Sequence, residues 1–213
     1  MTLWHLELPE SPITVADIQS DPSCIAASIS MPSGLQVTCR PLAANDAGIL
    51  GQYFHNLSVE TRRRYAPHAF DQATADHLCA TINYAETIRM IATVEISLQQ
   101  QVVAYLVLVL GAPDNDRERY AQAGISLDPQ TDCTVAPSVA DAYQDRGMGS
   151  SLMSHLMQVA RELGRRRMVL MGGVQATNHR AVHYYQKHGF HVVHTFEAPA
   201  GAYNHDMVLD LNP

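Results

Sequence analysis

A short glycine-bearing loop, set between an apolar strand and an amphipathic helix, constrains this chain more than any other segment. The loop is QDRGMG, residues 144–149, and the apolar, β-branched run before it covers residues 132–140. An apolar stripe at helical spacing follows and predicts a helix over residues 149–164. Backbone N–H groups at a helix start lack partners and favour anions, and glycine lets the main chain approach a phosphate closely. The segment therefore predicts a phosphate-binding loop.

This loop differs from two familiar glycine-rich phosphate sites. It lacks the G-K-[ST] of a P-loop, and Leu152 stands where G-x-G-x-x-G needs its third glycine. A nest of backbone N–H groups holds a pyrophosphate without a lysine, so the loop still suits this role. By itself, a tight turn between strand and helix explains the same residues equally well.

A second constellation lies one strand further along the chain, where residues 178–190 read NHRAVHYYQKHGF. The two segments together resemble the GNAT superfamily of acetyl-CoA-dependent N-acetyltransferases. That family carries [QR]-x-x-G-x-[GA] after its fourth strand and N-x-x-A-x-x-x-Y-x-x-x-G-F after its fifth, and both patterns are met in full and in order. The resemblance covers residues 35–211, and its specific part is residues 133–190.

The resemblance implies a coenzyme A site and assigns a role in it to residues of both motifs and of the preceding strand. Residues 137–139 leave the neighbouring strand and pair their backbone with the pantetheine arm, while the amides of residues 145–150 bind the pyrophosphate. Gln144 and Arg146 flank the mouth of the site, and Asn178 forms a hydrogen bond with the cofactor. The implied cofactor-binding residues are thus Pro137, Ser138, Val139, Gln144, Asp145, Arg146, Gly147, Met148, Gly149, Ser150 and Asn178. Acetyl-CoA is the implied acyl donor, and no metal is expected.

Direct transfer is the implied mechanism: a neutral amine attacks the thioester, an oxyanion forms, and the CoA thiolate leaves. A backbone N–H near Val139 is suited to stabilise the oxyanion. Tyr185 stands near the cofactor sulfur in this scheme and is the candidate catalytic acid that protonates the thiolate. The alternative role for Tyr185 is a core aromatic residue beside Tyr184.

The general base is where the sequence departs from relatives that use a glutamate. The corresponding positions here are Thr134 and Gly173, and neither accepts a proton at neutral pH. Asp132, Asp141 and His183 are the nearby candidates. Because many relatives work through ordered water or receive an amine that is already neutral, the identity of the base stays open.

The order of predicted elements indicates an α/β (α+β) fold. From residue 35 the chain reads as a strand, two helices (the second at residues 72–86), a hairpin over residues 88–110, and then strand, helix, strand, helix and two closing strands. We expect a mixed, mostly antiparallel central sheet of about seven strands, flanked by helices as in the GNAT fold. Residues 1–34, rich in Pro, Ser and Asp, are expected to be an N-terminal extension to an N-acetyltransferase domain at residues 35–213.

Composition argues against several classes of function. A net charge of -7 disfavours a nucleic-acid partner, because phosphate binding needs a basic footprint. The chain has no run of about eighteen apolar residues and no signal-peptide pattern at its start, so no membrane association and a cytoplasmic location are expected. The four cysteines lack paired spacing and are expected to be free thiols. His179 and His183 lack the glutamate of H-E-x-x-H, which argues against a metal site there.

Three functions remain open: a small-molecule amine acetyltransferase, a protein acetyltransferase acting on lysine or an N-terminus, and a non-catalytic acyl-CoA-binding or sensory domain. Acceptor specificity is expected from residues 46–86, the insertion at residues 111–131 and the last hairpin at residues 196–207. Residues 57–65 (LSVETRRRY) resemble a run in bacterial family members related to protein acetyltransferases, where it positions a loop over the cofactor. Dimers are frequent in the family, so a homodimer is a further expectation.

Overall fold

A single mixed sheet forms the centre of the computed structural model, which describes residues 12–65, 67–198 and 201–212. Its strands are β1 (Ala27–Ser30), β2 (Gln36–Pro41), β3 (Thr87–Ile96), β4 (Gln99–Val109), β5 (Asp132–Val139), β6 (Arg167–Leu170), β7 (Val174–Gln175), β8 (His191–Glu197) and β9 (Tyr203–Asp210). The strand order is β1-β2-β3-β4-β5-β6-β9-β7, and β8 pairs with β9. Of the pairings described, β5 with β6 is parallel and the others are antiparallel.

The mixed, mostly antiparallel architecture is as the sequence predicted, although the sheet is larger than expected. Within the described residues the sheet has nine strands where about seven were expected, because β1 from the N-terminal segment and the two-residue β7 also join it. The residues described within 1–34 include a helix and this strand, whereas residues 1–11 lie outside the described part. Pro199 and Ala200, in the connection between β8 and β9, also lie outside it.

Helices flank the sheet: α1 (Val15–Ser20), α2 (Ala47–Asn56), α3 (Val59–Arg64), α4 (Gln72–Ala80), α5 (Asp114–Gln122), α6 (Met148–Glu162) and α7 (His179–Lys187). Side chains that accept a backbone N–H bond cap four of them, and these are Thr14 for α1, Ser58 for α3, Asp71 for α4 and Asn178 for α7. Helix α6 begins at Met148, and its N-cap residue, Gly147, has no side chain to cap it. None of the helices in the described ranges is long and apolar enough to cross a membrane.

The alternating side chains of the sheet divide the core into two faces. On one face the apolar stripe of α6, including Leu152 and Leu156, packs with β3 residues such as Met90. On the other face α2 and α4 pack against residues of β3 and β4, among them Ile91 and Tyr105. Since successive strand residues point to opposite faces, neighbouring positions such as 90 and 91 serve different cores.

The sheet opens where the glycine-bearing loop begins. Strand β5 pairs with β4 along its length from Thr134 to Val139, but its parallel pairing with β6 ends at Val135 opposite Leu170. After β6 the chain turns away at Gly172 and Gly173, whose φ angles of 65° and 70° favour glycine. The last half of β5 therefore has a neighbour on one edge only, and this gap places the candidate site.

Candidate active site

The loop between β5 and α6 presents a run of unused backbone donors. The N–H groups of residues 145–150 find no acceptor within the described part of the chain, and Ser151 is the first to bond, donating to the Gly147 carbonyl at 3.2 Å. Asp145 and Gly147 have positive φ angles of 59° and 83°, which turn successive amides toward a common side. Unpaired amides at the start of a 15-residue helix favour an anion of the size of a pyrophosphate.

The open edge of β5 offers a backbone site beside this nest. The Ala140 N–H donates to the Val103 carbonyl of the β4 side at 2.8 Å, so the N–H of Val139 points the opposite way, into the gap left by β6. The Val139 carbonyl also faces that side, since it accepts a hydrogen bond from Gln144 Nε2 at 2.9 Å. Pro137 has no N–H, so its carbonyl is the group it can offer there.

Ser138, which the sequence assigns to the cofactor, directs its side chain elsewhere. Its hydroxyl lies 2.7 Å from the Tyr53 hydroxyl on the α2 face of the sheet, and the residue is buried. Only its main chain is placed to contribute to a site at the open edge of β5.

Gln144 and Arg180 hold the mouth of the loop in place. Arg180, on α7, donates to Gln144 Oε1 at 2.6 Å and to Asp145 Oδ2 at 3.1 Å. Gln144 therefore uses both ends of its amide inside the protein and braces the loop, while Arg146 is exposed. The sequence did not single out Arg180, because it occupies a variable position of the second motif and meets Gln144 only in the fold.

Helix α7 rests against the start of α6 through a tyrosine that the sequence left aside. The Tyr184 hydroxyl donates to the Gly149 carbonyl at 2.7 Å, and a Cβ on Gly149 would lie 3.4 Å from the Tyr184 ring. The second glycine of the loop thus allows close helix packing as well as phosphate approach. Asn178 caps α7 by accepting the Ala181 N–H at Oδ1 (3.2 Å), which leaves its amide nitrogen for a cofactor.

Tyr185 combines a packed ring with an unused hydroxyl. Its ring is half-buried, in edge-on contact with Phe190 at a centroid distance of 5.4 Å and with Tyr184 at 5.2 Å. The hydroxyl makes no hydrogen bond within the described residues. Burial raises the pKa of Tyr185, so the group stays a protonated phenol and keeps its proton available for donation.

The positions where relatives carry a glutamate hold no base. Thr134 is buried and donates to the Gly111 carbonyl at 2.9 Å. Gly173 has no room for a side chain, because a Cβ there would lie 2.8 Å from the His205 carbonyl oxygen. Asp132 stands at the far end of β5 from the gap, where it accepts the Asp128 N–H at 2.8 Å, and burial raises its pKa. His183 is exposed on α7.

Asp141, the remaining candidate base, is saturated by hydrogen bonds from α3. Its carboxylate accepts the Ser58 N–H at 3.0 Å, the Ser58 hydroxyl at 2.7 Å and the Thr61 hydroxyl at 2.7 Å. Burial alone would raise the pKa of Asp141, but these bonds from Ser58 and Thr61 lower it overall. Asp141 therefore connects α3 to the segment that leads into the cofactor loop. Because its carboxylate is already hydrogen-bonded and its pKa is lowered, it is poorly suited to take a proton from an amine.

Neither the histidines nor the acidic residues form a metal centre in the described ranges. No group of three or more His, Cys, Asp and Glu side chains converges there. The four cysteines are free, with Cys24 exposed and Cys39, Cys79 and Cys133 buried.

Comparisons with known proteins agree with this geometry. The model of the Acetyltransferase (GNAT) family matches residues 52–190, which include the loop, the gap and α7. No curated protein sequence matches the chain. The fold is similar to the GNAT domain of S. lividans PAT (TM-score 0.69, 22% identity, covering 89% of this chain and 98% of that one). It is also similar to aminoglycoside acetyltransferase AAC(6')-Ib in complex with coenzyme A and kanamycin (TM-score 0.60, 19% identity, 82% and 94% covered). A GCN5-related N-acetyltransferase from Kribbella flavida matches with a TM-score of 0.60 at 20% identity, covering 82% of this chain and 97% of that one.

The matched family model identifies the class of this protein as an acyl-CoA-dependent acetyltransferase, and the glycine-bearing amide nest beside a split sheet is in keeping with that class. The chain belongs to the GNAT acetyltransferase family, whose model matches more than half of its length. Acetyl-CoA is accordingly its acyl donor, as the sequence predicted.

Proposed function

We propose that this protein transfers the acetyl group of acetyl-CoA to a primary amine of a small molecule, by direct attack in a ternary complex. The observation that carries the proposal is a set of three groups that have no hydrogen-bond partner in the described residues. These are the amide nest of residues 145–150, the inward-facing N–H of Val139 and the free hydroxyl of Tyr185. In the proposed complex they serve the pyrophosphate, the thioester oxygen and the sulfur of the donor in turn.

Charge flow assigns a role to each group. The amine nitrogen attacks the thioester carbon, and the N–H of Val139 is placed to stabilise the oxygen as it becomes negative. When the C–S bond breaks, the Tyr185 phenol donates its proton to the thiolate. The nitrogen loses one proton as the amide forms, and that proton replaces the one that the phenol gave up. Because the two usual glutamate positions hold Thr134 and Gly173, the amine is expected to enter largely neutral.

Two contacts on the α3 side of the gap favour a small acceptor over an extended peptide. Gln175 of β7 donates to the Arg63 carbonyl at 3.3 Å, and Tyr65 donates to the Ala136 carbonyl at 2.9 Å. The first bond joins α3 to β7 across the gap, and the second holds the end of α3 on β5 beside it. A peptide chain would have to displace them, whereas a short amine need only enter between them.

Acetyl transfer to a defined amine panel tests this function. The panel is spermidine, tyramine, glucosamine and a lysine-containing tetrapeptide, with thiol release followed after mixing with acetyl-CoA and acetyl-CoA binding followed by calorimetry. We expect transfer to a small amine. Preferred turnover of the tetrapeptide would instead make the chain a protein acetyltransferase, and tight acetyl-CoA binding without transfer to any amine would make it a binding domain.

Replacing Tyr185 by Phe separates its catalytic role from its packing role. We expect kcat to fall about 10²-fold, the lower end for loss of a general acid, with the Kd of acetyl-CoA within about twofold of wild type. Tyr84→Phe is the control for the loss of a tyrosine hydroxyl as such. Unlike Tyr185, Tyr84 donates to a protein group, the Leu42 carbonyl at 3.0 Å, so the control should lose at least as much stability. Tyr84 lies just before β3, at the end of the sheet away from the gap. Unchanged turnover in Tyr185→Phe would leave Tyr185 as a core residue only.

A further inference from the structure

Tyr65 occupies the point where the sheet opens. It follows α3 directly, and its hydroxyl donates to the carbonyl of Ala136 at 2.9 Å. Ala136 is the first residue of β5 beyond Val135, the last that pairs with β6. The Ala136 carbonyl points toward β4, so the phenol oxygen lies over β5, beside the start of the gap, on the α2 and α3 side of the sheet. Tyr185, by contrast, packs with the core of the α6 side.

Helix α3, which precedes Tyr65, is hydrogen-bonded to two other parts of the protein. At the start of α3, Ser58 and Thr61 donate to Asp141 in the connection that leads to the cofactor loop. Within α3, Arg62 donates to the carbonyls of Phe54, His55 and Leu57 at the end of α2, at 2.8, 2.6 and 3.0 Å. These contacts determine where the Tyr65 hydroxyl lies relative to the amide nest.

Hydrogen-bond counting leaves the Tyr65 oxygen with unused capacity. A tyrosine hydroxyl has one proton to donate and lone pairs that accept. The proton goes to Ala136, and the Ser138 hydroxyl, which lies 2.7 Å from the Tyr53 hydroxyl, is also close to the Tyr65 oxygen. One such neighbour still leaves a lone pair of the Tyr65 oxygen unused. A neutral primary amine has the complementary need, since its N–H groups require acceptors while its lone pair must remain free to attack.

We propose that the Tyr65 hydroxyl accepts a hydrogen bond from the attacking amine and so directs the nitrogen lone pair toward the thioester carbon. Tyr65 is thus an amine-binding residue rather than a base. Burial, together with the neighbouring Tyr105, Tyr53 and Tyr185, raises the pKa of Tyr65, so it remains a phenol and removes no proton itself. This inference rests on the proposed function, because it needs an amine in the gap.

Steady-state kinetics of Tyr65→Phe test the inference with the panel amine that wild type turns over best. Removing one oxygen keeps the ring and its stacking on Phe70, at 5.7 Å between centroids, so the fold is retained. We expect kcat/KM for the amine to fall about tenfold, the loss of one hydrogen bond in a desolvated site, with the Kd of acetyl-CoA within about twofold of wild type.

Tyr84→Phe again serves as the control, since both variants lose one bond from a phenol to a backbone carbonyl. Equal falls of melting temperature in the two variants, with a loss of amine kcat/KM in Tyr65→Phe alone, support the inference. Amine kinetics of Tyr65→Phe that match those of Tyr84→Phe would overturn it. Wild type that acetylates none of the amines would instead refute the proposed function, so the two failures are distinguishable.

Discussion

Gly147 and Gly164 stand just before and just after α6, and both adopt the left-handed backbone, with φ angles of 83° and 72°. Neither has a neighbour that an added Cβ would crowd, since Met31 at 3.9 Å is the nearest atom to Gly147 and none lies within 4 Å of Gly164. An alanine at either position therefore carries the same strain of about 1–2 kcal/mol. The two differ in what surrounds them, because only Gly147 belongs to the amide nest.

Gly147→Ala and Gly164→Ala are expected to lower stability equally and acetyl-CoA affinity unequally. Each should lose about 1–2 kcal/mol in urea unfolding because of the left-handed backbone. Gly147→Ala should also raise the Kd of acetyl-CoA about tenfold or more, since relief of the strain rotates amides away from the pyrophosphate. Gly164→Ala should leave that Kd unchanged. Equal Kd values by calorimetry would mean that the loop does not bind the pyrophosphate through its main chain.

Sequence spacing could predict the part of the site that depends on the local chain. The positions of Gly147, Gly149 and Asn178 follow from turn geometry and helix capping, which a short motif encodes. Contacts made across the fold have no such signal. The bonds Tyr184–Gly149, Arg180–Gln144 and Tyr65–Ala136 join residues 35, 36 and 71 positions apart, so their partners could not be read from the chain.

Secondary-structure elements also differ in how far the local sequence predicts them. The helix predicted at residues 72–86 ends at Ala80, because the Thr81 hydroxyl bonds the His77 carbonyl and Asn83 forms a turn with Ala85. Local hydrogen bonds of this kind compete with those of the helix. They end the helix at this point, although the helical spacing of apolar residues continues beyond it. The two-residue strand β7 was missed for the opposite reason, since its pairing with the distant strand β9 is what forms it.

His155 of α6 joins this helix to the N-terminal segment. Its Nε2 lies 2.9 Å from the Ile25 carbonyl, which can only accept, so Nε2 carries the proton and Nδ1 is left without a partner in the described residues. Burial lowers the pKa of His155 from 6.5. Below pH 6.5 the unfolded chain therefore takes up a proton that the folded chain resists, and stability falls until the folded pKa is reached.

His155→Gln is expected to reduce this loss of stability in acid. A glutamine amide retains a donor for the Ile25 carbonyl but does not titrate, so the fall in urea midpoint between about pH 7.5 and about pH 5 should be smaller than in wild type. Some of the fall will remain, because burial also lowers the pKa of His68 and of His188. A variant with the full wild-type difference would show that His155 is not the group concerned.

For the whole molecule, the insertion at residues 111–131 contributes a helix that packs into the core. It contains α5, whose Tyr120 is fully buried against Val169 and Val208 and donates to the Met207 carbonyl at 2.9 Å. The sequence assigned this insertion to acceptor specificity, which stays a prediction. The structure adds a contact to the turn after β6, because Asp116 Oδ1 accepts the Gly172 N–H at 3.1 Å.

A buried ion cluster connects this insertion to the last strand. Arg119 of α5 donates from Nε to both oxygens of Asp206, at 2.9 and 2.8 Å, and from a terminal nitrogen to Asp116 at 2.7 Å. Asp206 is wholly buried and Asp116 is 3% exposed. The guanidinium also lies 4.3 Å from the centre of the Phe196 ring. Removal of the arginine would leave two carboxylates without their cation inside the protein.

Arg119→Met should therefore destabilise the protein far more than Arg117→Met in the same helix. Breaking a buried ion cluster by removing one partner costs about 3–5 kcal/mol, because the remaining charge is neither solvated nor paired. Arg117 pairs with Asp114 at the surface, where 44% and 79% of the two side chains are exposed, and such pairs contribute about 0–1 kcal/mol. Urea unfolding of both variants measures the difference. Similar losses would mean that water enters the cluster once Arg119 is removed, and that the cluster does not hold α5 against β9.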